Sequence, residues 1–542
     1  MALNGLLLLT SSTVSVASRS RINLLGAKKF LEVVDKRSAM ANVVPPGVLY
    51  VVQWCPSDLQ ETKGPPASGL MSLIYGQGNA QCPSVDIRLL LNEGTGLLAR
   101  PKVPIDLVMV DGCPNRISLQ SVRSFVNEWF SVTRKDYSVQ YLTKTEDMVV
   151  PSAEENGSDV GGTPSGGDSS DFRQYEVVIL GGTFDRMHNA HKILLTEAVL
   201  MCTKEIIVGV TSDNMIKSKL LYELIEECPV RLERVKTFLA DVAPHLRHRV
   251  VTIDDPFGPA ITDKDIGLIV VSTETIKGAD KINEIRKGKE FPPLDVHNII
   301  LFTDELKQNE HEEDKISSSS QRIRILGDRL KPPRKLPSVP YVIGLTGGIA
   351  SGKSTLCGYL ETLGLPTINC DLLGHDAYKR GTACFDKIVE TFGADVLTTS
   401  KDEINRKVLG TKVFNNPSEL KKLTSIVWPE IRQLAQAQIN KLASEGHKAI
   451  VLDAAVLLEA EWDDMCNDVW VVVIPKEESI RRVQARDGLS AEDAEKRVAA
   501  QVSNHERVQR ANFVFCSLWE VDFTRRQADK AWKDIKSIID TL

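Results

Sequence analysis

The chain has 542 residues, too many for one hydrophobic core, so two to four domains are expected. Its 42% apolar and 25% charged residues are ordinary for a globular protein and exclude a largely disordered chain. A net charge of −6 argues against a general nucleic-acid binder, and ten scattered cysteines without CxxC spacing argue against a zinc ribbon, a redox pair or a disulfide framework.

Residues 1–42 open with a short apolar run, Leu6 to Leu9. Ser/Thr-rich sequence with Arg19, Arg21, Lys28 and Lys29 follows, and no acid precedes Glu32. That is the composition of a mitochondrial targeting segment, the alternative being a disordered tail. A secretory signal would place its basic residues before the apolar run, and this run is too short to span a bilayer. The expectation is mitochondrial as well as cytoplasmic residence, outer surface or matrix being left open. Membrane association would be peripheral, with protein partners through the N-terminal region. Residues 43–150 contain apolar runs such as Val48 to Val52 and Ile105 to Val110, with the amphipathic stretch Val122 to Phe130. They read as a small α/β domain without a chemical motif. Residues 151–172, beginning PSAEENGSDVGGTPSGGDSSD, cannot bury a core and read as a flexible linker. In residues 173–330 apolar strands alternate with helical stretches, the pattern of a parallel sheet covered by helices. Residues 331–340, KPPRKLPSVP, read as a stiffer connector. Residues 341–542 repeat the strand–helix alternation, so the class is multidomain α/β. No stretch is apolar enough for a membrane helix.

Two segments carry chemistry. The strand Val177 to Leu180 runs into Gly181, Gly182, Thr183, Phe184 and Asp185, with His188 and His191 at the start of the next helix. Helix N-termini collect anions, and two imidazoles there can donate hydrogen bonds to phosphate oxygens. Further on, Ile316, Ser317, Ser318, Ser319, Ser320, Gln321 and Arg322 offer hydroxyls, backbone N–H groups and a guanidinium to a second phosphate. The other segment is Gly347, Gly348, Ile349, Ala350, Ser351, Gly352, Lys353, Ser354 and Thr355, a full Walker A loop after an apolar strand. Its N–H groups would wrap phosphates, Lys353 would meet the β- and γ-oxygens, and Ser354 would ligate Mg²⁺. Asp453, ending the run Ala449 to Leu452, is either a carboxylate for the magnesium ion or a helix cap after the strand. Asp371, past the strand Pro366 to Cys370, is either a general base for an acceptor hydroxyl or a helix cap. The stretch from Arg481 through Arg486 and Arg497 to Gln501 reads as a lid, with Arg486 as the residue that offsets transition-state charge.

The first motif resembles the HxGH signature of the nucleotidyltransferase superfamily, GTFDxxHxxH, with Ala190 where glycine is usual. The serine segment resembles that superfamily's ISSTxxR element, and an RTEGIS element of cytidylyltransferases is absent. The runs Thr211-Ser212-Asp213, Lys217-Ser218-Lys219, Pro256-Phe257-Gly258-Pro259 and Ser272-Thr273-Glu274-Thr275 are similar to eukaryotic phosphopantetheine adenylyltransferases. In that likeness either Lys217 or Lys219 holds the pantetheine phosphate. GLTGGIASGKS, NCDLLGH, VLDAAVLLE and ARDGLS with RVAAQ resemble dephospho-CoA kinase over residues 341–542. Together the two blocks resemble the bifunctional coenzyme A synthases of animals, over the last two-thirds of the chain.

The resemblance implies three domains: an N-terminal α/β domain, an HxGH-type Rossmann-like nucleotidyltransferase and a P-loop kinase. It implies ATP, 4′-phosphopantetheine and dephospho-CoA as substrates, with Mg²⁺ accompanying ATP. Thr183, His188, His191 and Arg322 would stabilise the adenylyl-transfer transition state, with Gly181, Phe184 and Ser317 to Ser319 around ATP. Two other classes remain open. A P-loop ATPase switch would turn over ATP without pantetheine. A scaffold working through residues 1–150 would lose that role, and neither activity, on their deletion.

Overall fold

Four consecutive leucines open the fold. Asn4–Leu9 (β1) lies in the middle of a five-stranded parallel sheet, paired with Val48–Gln53 (β2) on one edge and Ile105–Asp111 on the other. Leu6, Leu7 and Leu8 are fully buried. A central parallel strand is covered on both faces, so an unbroken apolar run is what it requires. This corrects the reading of residues 1–42 as a targeting-like or disordered segment: 4–9 belong with the sheet expected to begin at 43. Asp86–Leu90 (β3) completes one side of the sheet, and Asn92–Glu93 (β4) and Gly96–Leu97 (β5) form a small antiparallel pair. With Ile105–Asp111 as β6 and Thr133–Tyr141 as β7, the order is β3-β2-β1-β6-β7.

The structure, a computed structural model, describes residues 4–9, 48–53, 74–75, 85–90, 92–93, 96–97, 104–111, 118–130, 133–142, 173–299, 303–335, 338–398, 400, 403–414 and 416–541. The expected linker at 151–172 lies outside these. Two compact units are present, Met1–Gln321 and Arg322–Leu542.

Within the first unit, Leu119–Trp129 (α1) is capped by Ser118, whose hydroxyl accepts from the Ser121 N–H at 3.0 Å. Its Val122, Phe125 and Val126 cover the sheet face formed by Leu6, Leu8, Val108 and Val110. The opposite face presents Leu7, Leu49, Val51, Leu89 and Met109. These share one continuous core with Ile193 of Asn189–Leu200 (α2) and with Val235 and Phe238 of Cys228–Val242 (α3). The second sheet is also parallel: Tyr175–Gly182 (β8), Cys202–Thr211 (β9), Arg247–Ile253 (β10), Leu268–Ser272 (β11) and Asp295–Ile299 (β12), in the order β10-β9-β8-β11-β12. Ile276–Gly288 (α4) packs Ala279 and Ile282 on its outer face. Ser318–Arg324 (α5) crosses the division between the units.

The second unit is built on Tyr341–Gly347 (β13), Thr367–Asn369 (β14), Ala449–Asp453 (β15), Asp468–Val473 (β16) and Phe513–Cys516 (β17), all parallel in the order β14-β15-β13-β16-β17. Lys353–Thr362 (α6), Cys370–Ala377 (α7), Ala383–Phe392 (α8), Arg406–Phe414 (α9) and the long Pro417–Ser444 (α10) follow in turn. Lys476–Asp487 (α11), Ala491–Ala499 (α12), Asn504–Arg510 (α13) and Val521–Ile539 (α14) complete it. The unit begins earlier than the expected boundary at 341. Arg329 clasps the buried Asp468 at 2.8 and 3.0 Å, and Asn512 donates to the Pro332 carbonyl at 2.6 Å. Residues 331–335 are therefore bound along this unit instead of forming a free connector. No described helix is long and apolar enough to cross a membrane.

Candidate active sites

Strand order reverses at β8, whose neighbours β9 and β11 lie on opposite sides. Ligands of parallel sheets bind beyond the strand ends at such a point. There the chain leaves β8 through Gly182 and Thr183 and turns sharply: Phe184 and Arg186 take positive φ of 53° and 49°. That conformation is held from several directions. The Phe184 side chain is fully buried. Arg231 of α3, also fully buried, donates to the carbonyls of Thr183 (2.9 Å), Thr211 (2.8 Å) and Glu226 (2.6 Å). The Thr211 hydroxyl donates to that of Thr183 at 3.3 Å, and buried Asp185 accepts from the Glu226 N–H at 3.1 Å.

His188 is the N-cap of α2 and His191 its third residue, and their rings stack at 3.8 Å. The His188 N–H donates to His191 Nδ1 at 3.4 Å, which leaves the ring proton of His191 on Nε2. Burial, with the Lys219 charge acting in the same direction, pushes His191 down to about 3. The ring is therefore a neutral donor at physiological pH. The serine segment meets this turn: the Ser318 hydroxyl donates to the Asp185 carbonyl (3.2 Å), and its oxygen lies 3.1 Å from His188 Nε2. Ser319 and Arg322 lie on the same short helix, α5, and Ser317 precedes it. Ala190, at the usual glycine position, is buried in the first turn of α2. Of the two lysines, Lys219 is the one whose charge reaches His191; both are exposed.

The loop from β13 to α6 has the geometry of a phosphate cradle. A Cβ on Gly347 would lie 2.7 Å from the Val472 carbonyl, so only glycine fits. Gly352 takes φ +86° and begins α6, whose first residue is Lys353. Gly347 to Thr355 line a cleft of about 470 Å³ together with Asp371, Arg482, Arg486 and Gln501. The Lys353 ammonium pairs with the buried Asp453 carboxylate and lies 3.8 Å from Asp371. Burial raises Asp453, partly offset by Lys353. Asp371 is about half exposed in the first turn of α7, and the N-cap there is Asn369, which accepts from the Leu372 N–H at 2.9 Å. The capping explanation of Asp371 is thereby removed. Ser354 and Asp453 offer hard oxygen donors beside the cradle, a set that suits Mg²⁺.

A family model for dephospho-CoA kinase matches residues 341–517. The dephospho-CoA kinase of Geobacter sulfurreducens is 40% identical over 191 residues, 35% of this chain and 96% of its own length. That of Carboxydothermus hydrogenoformans is 39% identical over 186 residues, 34% of this chain and 90% of its own. The chain belongs to the dephospho-CoA kinase family. A solved dephospho-CoA kinase from Campylobacter jejuni is 29% identical over 36% of this chain and 96% of its own, with a TM-score of 0.27. Residues 179–324, outside the dephospho-CoA kinase match, fit a cytidylyltransferase-like family model. The first site lies within that match.

Around the dephospho-CoA kinase cleft, Arg482 and Gln501 belong to the stretch read as a lid, but the contacts they make were not legible in the sequence. Arg482, one helical turn before Arg486, donates to the Ser517 carbonyl (2.6 Å) and hydroxyl (2.9 Å), and Ser517 in turn donates to the Ser351 carbonyl (2.6 Å). Gln501 accepts from the Ile349 N–H at 2.7 Å, tying the lid to the cradle. Arg486 lines the cleft but is half exposed and paired with Asp487. The i, i+4 spacing of Arg482 and Arg486 was the available signal for a shared face. For Arg231 the signal was a lone guanidinium on an otherwise apolar helix face.

Proposed function

We propose that this chain performs the last two steps of coenzyme A synthesis in succession. One observation carries this reading: a dephospho-CoA kinase cradle is joined in one polypeptide to a cytidylyltransferase-like site whose histidines and serines converge. In the first reaction a phosphate oxygen of 4′-phosphopantetheine attacks the α-phosphorus of ATP. The bond to the bridging oxygen breaks, and pyrophosphate leaves with dephospho-CoA as the other product. The nucleophile is already anionic, so no base is required. Neutral His191, with His188, donates to oxygens on which charge grows, and Arg322 with Ser317 to Ser319 receives the departing phosphates. Lys219 holds the pantetheine phosphate. In the second reaction Asp371 accepts the proton of the ribose 3′-hydroxyl, whose oxygen attacks the γ-phosphorus. ADP leaves, and CoA results. Lys353, the loop N–H groups, Arg482 and Arg486 neutralise the transferring phosphoryl group. Mg²⁺, held by Ser354 and Asp453, would shield the triphosphate charge.

The test is to incubate the protein with 4′-phosphopantetheine and Mg-ATP and weigh the products. The expected result is gain of an adenylyl group, then of a phosphoryl group. ATP turnover independent of pantetheine would instead support a P-loop switch. We also propose cytoplasmic and mitochondrial residence, with peripheral membrane contact and protein partners. The basic, hydroxyl-rich composition after Leu9 supports it. Cell fractionation that finds the protein only in the cytosol would refute it.

A further inference from the structure

The helix that presents both histidines is held at its first turn by the first sheet and the residues beside it. Asn189 donates through Nδ2 to the Tyr75 carbonyl at 2.7 Å. Lys192, its side chain 5% exposed, donates to Asp86 Oδ1 at 2.7 Å and to the Ile87 carbonyl at 3.1 Å. Asp86 Oδ2 accepts two bonds from Arg88, at 2.7 and 3.1 Å. Arg88 also pairs with Asp241 of α3, which accepts from the Tyr50 hydroxyl at 2.8 Å. His188, Asn189, His191 and Lys192 all fall in one turn. Fixing Asn189 and Lys192 therefore fixes the rotation and height at which the two imidazoles stand. A buried ammonium needs a fixed partner, so the tether resists slippage in a way that apolar packing would not.

We infer that Asp86 is a positioning residue for adenylyl transfer, acting through Lys192 and α2, so that the motif-free N-terminal sheet serves as the platform of the first active site. The inference rests on the adenylyl-transfer reading of that site. Neither Asp86 nor Lys192 is among the residues expected to touch ATP or pantetheine.

The experiment uses the full chain, with both activities assayed in each preparation. Asp86→Asn keeps the shape and removes the charge. It should lower kcat for adenylyl transfer by about tenfold or more, because small misplacements of catalytic groups are costly. KM for ATP and phosphopantetheine, and the rate of dephospho-CoA phosphorylation, should stay within about twofold. Asp86→Glu should recover most of the loss. Asp86→Asn combined with Lys192→Gln should be no worse than Asp86→Asn alone, as expected of a coupled pair. If Asp86→Asn does not fold, Asn189→Ala, which cuts the other tether, carries the same expectation. Unchanged adenylyl kcat, a change confined to KM, or equal loss of both activities would overturn the inference. If the unaltered protein does not adenylylate phosphopantetheine at all, the reading of the first site fails instead.

Discussion

His191 sets the electrostatics of the first site. Burial and the nearby Lys219 ammonium keep its ring neutral, with its own ordinary value of about 6.5 displaced to about 3. The free enzyme's kcat/KM for adenylyl transfer should therefore show no inflection near pH 6.5 that disappears in His191→Asn. The same displacement makes a stability statement. Between the unfolded value and about 3, the unfolded chain takes up a proton that the folded ring refuses. Stability is thus constant from this source above the unfolded value and is lost as pH falls below it. Urea unfolding at pH 7.5 and pH 5 should show a larger drop for the unaltered protein than for His191→Asn. His191→Ala should cut adenylyl transfer by about 10²–10³ and spare the kinase. Lys353→Met should do the converse, abolishing CoA formation while dephospho-CoA accumulates, as read by chromatography of the products.

Strand, glycine loop and helix formed the most legible pattern, in both sites. The constraints there are local: a buried strand, a turn that only small residues allow, and a helix start. Gly347→Ala tests this, since its Cβ would strike the Val472 carbonyl, a backbone atom that cannot swing aside. Kinase kcat should fall by about tenfold or more, with adenylyl transfer unchanged. Two kinds of element were not legible. β1 reads like a targeting run because a strand covered on both faces has no alternation to betray it. For Arg231, Arg482 and Gln501, spacing marks a helix face or a lid, but the carbonyls and N–H groups they bind are distant in sequence and stay hidden. Asp371 lay between: the position was legible, but its freedom from capping duty became visible only once Asn369 took that role. Asp371→Asn should lower kcat of the kinase far more than it weakens ATP binding.

Taken entire, the molecule joins a unit that resembles free-standing bacterial kinases to one whose catalytic helix is supported by another sheet. Removing residues 1–150 would strip Leu7, Leu49, Val51 and Leu89 from a core they share with α2 and α3. Such a truncated chain should keep dephospho-CoA phosphorylation and lose adenylyl transfer. Retention of both would return the N-terminal sheet to a scaffold role. The position of β1 also bears on how the protein is made. These leucines are synthesised before both of their strand neighbours, and one of those, β6, ends only at Asp111. During synthesis at about 5–20 residues per second, a sticky strand waits seconds with an open edge. Holdase chaperones should thus meet this chain early, and slowed translation ahead of residue 111 should favour clumping over correct assembly.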